Sequence, residues 1–318
     1  MPIIEVTDYT PPLFLRWRHA NTIYPFLMRK EANPSYNRSR FTTHDDDFID
    51  LDWIKKGSNH LVILGHGLEG SSRSQYITHT ASLLSAGGLD ILAMNYRSCS
   101  GELNRTATMY HSGFTTDLHS LIKAYEHSYE IISLVGFSLG GNMILKYLGD
   151  GVFDISKKIK SAVALSAPCD LSGSSKQIAK WFNKAYELNF LKTLINKAKA
   201  KQEQFPNKID IAQINKINSV YKFDDYFTGP VHGFEGAEDY YTKCSSRQFL
   251  HNINVPTLLI NATDDPFLSS SCYPYEEAEH NENLYFKAPK FGGHVGFTTF
   301  GQSNYWNETE IFNFISRQ

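Results

Sequence analysis

Short apolar runs recur along the chain, each ending in a loop rich in glycine, asparagine or aspartate, and most are followed by apolar positions at helical spacing. Residues 61–64, 89–94, 131–135, 159–165, 255–260 and 284–286 read as buried strands, because both faces of each run are apolar. Residues 76–86, 115–127, 139–148 and 305–316 carry apolar side chains at helical intervals between or after them. Such alternation predicts right-handed crossovers and an α/β fold, a mostly parallel central sheet with helices on both faces. Ahead of it, residues 38–43 and 48–53 predict a hairpin around His44-Asp45-Asp46-Asp47. The three aspartates are read as solvated turn formers, since the wider oxygen-ligand spacing of a calcium loop is missing.

The alternation lapses twice. Residues 1–35 form an expected arm that packs on the core, and residues 171–249 a helical lid inserted after the sixth expected strand. Residues 36–170 and 250–318 make up the core. Within the lid, residues 176–201 are helical in pattern, and an aromatic stretch follows from Tyr221 to Tyr241. Between residues 176 and 208, eight lysines, at 176, 180, 184, 192, 197, 199, 201 and 208, face only Glu187 and Glu203. They read first as a solvated helix face, and second as a surface for transient contact with an anionic membrane. Over the whole chain, 31 basic residues nearly balance 33 acidic ones, which removes any global pull toward nucleic acid. The start of the chain lacks a basic-then-apolar leader, and Cys99, Cys169, Cys244 and Cys272 form no CxxC pair. A reduced, cytoplasmic setting is expected. Cys99 and His19 are both read as packing residues, Cys99 because no basic neighbour stands out in the sequence.

The chemistry concentrates in Gly136-Phe137-Ser138-Leu139-Gly140, where a strand gives way to a helix. A serine on such a turn stands exposed above the sheet at the positive end of the helix. Serine is a weak nucleophile at neutral pH, so a base must take its proton. His294, in Phe291-Gly292-Gly293-His294, is the expected base, its glycines letting the ring swing over the serine. Asp265, at the start of the loop after residue 260, is the expected acid, with Asp264 bonding its own loop and Asp170 a third candidate. The order serine, acid, histidine is that of an α/β-hydrolase. Gly65-His66-Gly67-Leu68-Glu69-Gly70 lacks any nucleotide fingerprint, so its expected use is an oxyanion hole made by the Leu68 and Leu139 amides. No cofactor or metal is called for.

Several stretches resemble the YheT-like branch of the α/β-hydrolase superfamily: His19-Ala20-Asn21-Thr22, GHGLEGSS from Gly65, NYRSCSG from Asn95, YHSG from Tyr110, LVGFSLGGN from Leu134, FDDYFTGPVHGF from Phe223 and NATDDPF from Asn261. Ser98 and Gly229 depart from the branch's usual glycine and alanine. The resemblance covers nearly the whole chain and implies a lidded hydrolase with a Ser138-Asp265-His294 triad. It also implies carboxylic esters as substrates, with eukaryotic relatives acting on lipids. The expected activity is ester hydrolysis on short- to medium-chain acyl esters or lipids. Acyl transfer to an alcohol and a non-catalytic ligand-binding role are the alternatives.

Overall fold

The computed structural model describes residues 3–30 and 32–317; the first two residues of the expected arm, Glu31 and Gln318 lie outside it. One nine-stranded sheet runs through the molecule in the order β1-β9-β8-β7-β6-β4-β5-β3-β2. The strands are β1 (Ile3–Ile4), β2 (Asn37–Thr42), β3 (Phe48–Ile54), β4 (His60–Gly65), β5 (Asp90–Asn95), β6 (Ile131–Phe137), β7 (Ile159–Leu165), β8 (Thr257–Ile260) and β9 (Leu284–Lys287). Every pairing is parallel except those of β3 with β2 and β5. Period-two alternation feeds two cores. Ile132 and Leu134 of β6 join one, while Val135 and Phe137 join the other.

The helices are α1 (Arg18–Met28), α2 (Gln75–Ala86), α3 (Thr115–Tyr125), α4 (Leu139–Gly149), α5 (Leu171–Ile178), α6 (Lys184–Gln204), α7 (Ile211–Ile214), α8 (Val220–Phe223), α9 (Gly229–Val231), α10 (Ala237–Cys244), α11 (Tyr275–His280) and α12 (Trp306–Ile315). Leu118 of α3 and Met143 of α4 pack on one face of the sheet, Ile77 of α2 and Ile311 of α12 on the other. Helices α5 to α10 lie between β7 and β8. No helix among the described residues is long and apolar enough to cross a membrane.

Four expectations change. Ile3 and Ile4 pair with Phe286 and Lys287, so the expected sixth strand is β7. The helical stretch expected over 176–201 breaks between α5 and α6, at a short turn carrying Trp181. The acidic turn is not simply solvated. The Arg97 side chain, fully buried, places Nη1 2.7 Å from Asp45 Oδ2 and 3.4 Å from Asp47 Oδ2, and Nε 2.7 Å from Asp117 Oδ2. Asp46 keeps to the solvent role, and Asp45 stays partly exposed beside Arg97. Finally, two of the eight lysines at 176–208 turn inward: Lys197 pairs with Glu69 at 2.8 Å, and buried Lys201 donates to the Asn104 and Thr106 carbonyls. Each helix turn packs one side against the core, and these two lysines fall on that side.

Candidate active site

Strand β6 ends at Phe137, and Ser138 follows with φ 52° and ψ −119°, a conformation that costs a side-chain-bearing residue energy. The turn is held from outside, because the Ser138 N–H donates to the Leu165 carbonyl at 2.8 Å. Two glycines make it sterically feasible. A Cβ on Gly136 would meet the Gly140 carbonyl oxygen at 2.3 Å, and one on Gly140 would meet the Gly65 and His66 carbonyls at 2.6 Å. Strand, helix and the loop after β4 therefore close on one another, with Ser138 at the junction.

His294 Nε2 lies 2.9 Å from Ser138 Oγ, and His294 Nδ1 lies 2.8 Å from Asp265 Oδ2. The Asp265 side chain is fully buried, and its other oxygen accepts the Phe267 N–H at 2.8 Å. Both carboxylate oxygens are thereby fixed, and the imidazole is oriented by a group that cannot rotate away. Asp170 does not approach this cluster; it caps α5 by accepting the Gly173 N–H at 3.1 Å and bonds Ser271.

The histidine loop is pinned rather than free to swing. The Gly293 N–H donates to Asp264 Oδ1 at 2.8 Å, the His294 N–H to Thr22 Oγ1 at 2.9 Å and the Val295 N–H to Ser166 Oγ at 3.0 Å. Asp264 thus reaches beyond its own backbone to bond the histidine loop. Asn21 completes the clamp, accepting the Thr298 N–H at 3.1 Å and donating to Tyr9. Among His19-Ala20-Asn21-Thr22, the positioning residues are Asn21 and Thr22. Sequence reasoning weighed His19 alone, which packs on Tyr186 with its Nδ1 3.2 Å from the hydroxyl. The available signal was the small polar pair itself, just ahead of the apolar run from Ile23 to Met28.

Burial pushes the Asp264 carboxyl up to about 6, and its Oδ2 has no hydrogen-bond partner among the described residues. A carboxyl raised in the folded state binds its proton there more tightly than in the unfolded chain. The stability it contributes is complete below about pH 4 and is lost as pH rises through about 6. Asp264→Asn keeps an acceptor for Gly293 and removes that charge. It is expected to be more stable than wild type by about 1–3 kcal/mol at pH 8, with the gap closing at pH 4, as read by urea unfolding.

The loop after β4 presents three successive amides in different states. The Gly67 N–H is taken by the Tyr76 hydroxyl at 3.0 Å and the Glu69 N–H by the Tyr110 hydroxyl at 2.7 Å. Between them the Leu68 N–H has no acceptor among the described residues, nor has that of Leu139 at the start of α4. His66 is neutral scaffolding. Burial lowers its pKa to about 3, while its ring bonds the Gly67 carbonyl and the Tyr96 N–H. Cys99 lies 3.5 Å from Lys197, so it does have the basic neighbour missing from the sequence reading. Burial nonetheless pushes its thiol up to about 12, against the pull of Lys197, which leaves it un-ionised.

Ser138 and His294 open into a cavity of about 660 Å3, within the range of small-molecule sites. One side is apolar, built from Leu171, Phe190, Leu194, Phe223, Phe227 and Phe267. Another carries His111, Ser112, Asp224 and His232. Phe26 and Leu27 of α1 stand at the opening, lining the cavity and yet largely exposed.

Residues 60–299 match the alpha/beta hydrolase fold family. The chain is 33% identical over 309 residues to the YheT protein of Escherichia coli strain K12, covering 94% of this chain and 90% of that one. It is 28% identical over 308 residues to the mouse protein named Phospholipase ABHD3, covering 93% of this chain and 74% of that one. A Saccharomyces cerevisiae protein named Monoacylglycerol lipase is 26% identical over 289 residues, covering 87% of this chain and 63% of that one. Among solved structures, Pyrococcus furiosus esterase Pf2001 superposes with a TM-score of 0.61 at 19% identity, covering 91% of this chain and 98% of that one. That last likeness is one of fold.

Proposed function

Because this chain belongs to the YheT-like branch of the α/β-hydrolase family, we propose that it is a serine carboxylic-ester hydrolase that works through an acyl-enzyme. The observation that carries this reading is the hydrogen-bonded series Ser138, His294, Asp265 opening into a largely apolar cavity. Relatives named as a phospholipase and a monoacylglycerol lipase support acyl esters, lipids included, as the substrate class.

In the first half-reaction Ser138 Oγ attacks the acyl carbonyl carbon while His294 Nε2 takes the hydroxyl proton. Asp265 stabilises the imidazolium without itself taking a proton. The carbonyl oxygen becomes an alkoxide held by the Leu68 and Leu139 N–H groups. Among the described residues neither donor has a protein acceptor, so neither must break a bond to receive the charge, and the start of α4 adds its positive end. The alkoxide collapses as the C–O bond to the alcohol breaks, and His294 returns its proton to the leaving oxygen. Water then attacks the acyl-enzyme by the same steps, releasing the acid.

The apolar wall is the proposed acyl site, roofed by the helical insertion acting as a lid. Phe227 is almost wholly buried there, against Phe223 at a centroid distance of 5.2 Å. Phe227→Ala lengthens the space available to the chain. The expected result, on a p-nitrophenyl ester series from acetate to palmitate, is a wild-type optimum at short to medium chains. In the variant the optimum moves toward longer esters, by roughly tenfold in relative kcat/KM. An unchanged profile would remove Phe227 from the acyl site.

A further inference from the structure

The solvent side of α1 is apolar. Trp17, Phe26, Leu27 and Met28 are all exposed, Phe26 at 82%, and Leu13 and Phe14 just before the helix are exposed as well. Trp181, in the turn between α5 and α6, is 87% exposed. The two segments are continuous through rings in edge-to-face contact: Trp17 meets His19 at 5.1 Å, His19 meets Phe182 at 6.0 Å, and Phe182 meets Trp181 at 5.7 Å. An apolar patch of this extent on a water-facing surface marks an interaction site.

Charge indicates what covers it. Residues 13–30 carry Arg16, Arg18, Arg29 and Lys30 and no acid; residues 176–184 carry Lys176, Lys180 and Lys184 and no acid. Glu187, which follows, is buried. Arg29 is paired with buried Glu308 and Lys184 with buried Glu187 at 2.7 Å, which leaves the other five without a carboxylate partner among the described residues. A second copy seated on this face would set one cationic rim against another, which disfavours self-association. An anionic lipid surface satisfies both features, taking the aromatic and aliphatic side chains into its interfacial layer and the cations against its headgroups.

We propose that the exposed face of α1 with Trp181 is a docking surface for anionic phospholipid membranes. Docking there sets the cavity opening, where Phe26 and Leu27 stand, against the lipid, so that an acyl ester passes from bilayer to cavity without crossing water. The contact is made by the arm and the neighbouring turn, and not by the outer lysines of α6. It does not depend on the catalytic assignment, because Ser138→Ala retains the whole surface.

Flotation with vesicles of phosphatidylcholine alone, or mixed with phosphatidylglycerol, tests this. Wild type and Ser138→Ala are expected to bind the anionic vesicles, with binding falling as salt is raised. Trp181→Asp and Phe14→Asp are each expected to weaken binding by roughly tenfold. Neither residue lines the cavity, so hydrolysis of a water-soluble ester is expected to be unchanged, which also reports that both variants are folded. Lys192→Glu, on the outer face of α6, is expected to have little effect. Failure of wild type to bind anionic vesicles, binding lost only with Lys192→Glu, or a dimer disrupted by Trp181→Asp would each overturn the proposal.

Discussion

Ser138→Ala is expected to lower kcat/KM for a water-soluble ester by about four to six orders of magnitude, with the melting temperature essentially unchanged. The size follows from what one atom does in the proposed reaction. Without Oγ no acyl-enzyme forms, and the remaining residues act as a unit that has lost its nucleophile, so no partial pathway compensates. The fold is spared for a separate reason. The φ of 52° is strained for any residue with a Cβ, and alanine bears that strain as serine does. The backbone bond from Ser138 to Leu165 remains in place. His294→Ala is expected to lose comparable activity, and Asp265→Asn somewhat less, because an oriented imidazole without its carboxylate still accepts a proton.

The second large effect lies away from the reacting atoms. Arg97→Met is expected to destabilise the protein by about 3–5 kcal/mol. The Arg97 guanidinium satisfies Asp117 and Asp45 in two-pronged contacts, at 2.7 and 2.8 Å and at 2.7 and 2.9 Å respectively. The Asp47 side chain is fully buried beside it. Burial opposes the Asp47 charge, but bonds from Thr106, Asn104 and the Arg105 amide outweigh it and hold the carboxyl down at about 2. Methionine fills the volume and leaves these carboxylates facing one another without their counter-charge. The cost is that of uncompensated buried charge, well above the value of an exposed pair. Arg97→Lys restores one charge without the fork and should fall between the two. Breaking the exposed Lys243–Asp239 pair should leave the melting temperature unmoved. Thermal unfolding of the three variants measures the series, and equal losses for Met and Lys would point to shape rather than charge.

These two residues mark what could be read along the chain. Ser138 was legible because the apolar run over 131–135, the glycines and the helical repeat all lie within one local stretch, and Asp265 and His294 because each follows a strand. The destination of the acidic turn was not. Asp45 and Asp47 meet an arginine some fifty positions away, and a hairpin turn has the same composition whether water or Arg97 receives it. Lys201 was hidden similarly, since its pattern fits an exposed helix face and only the Asn104 and Thr106 carbonyls reveal the inward turn. Ser166 escaped because its contribution is to hold a loop by one amide, and Thr22 and Asp264, though both stand in the quoted stretches, give no sign along the chain that their partner is the histidine loop.

The central claim is that Ser138 is the nucleophile, and active-site labelling tests it most directly. Incubation with a fluorophosphonate, followed by intact mass and peptide mapping, is expected to give one phosphonyl group per chain on the peptide containing Ser138. Ser138→Ala should take up none and should hydrolyse the ester about four to six orders of magnitude more slowly. A phosphonyl group mapped elsewhere, or ester hydrolysis near the wild-type rate in Ser138→Ala, would contradict the account.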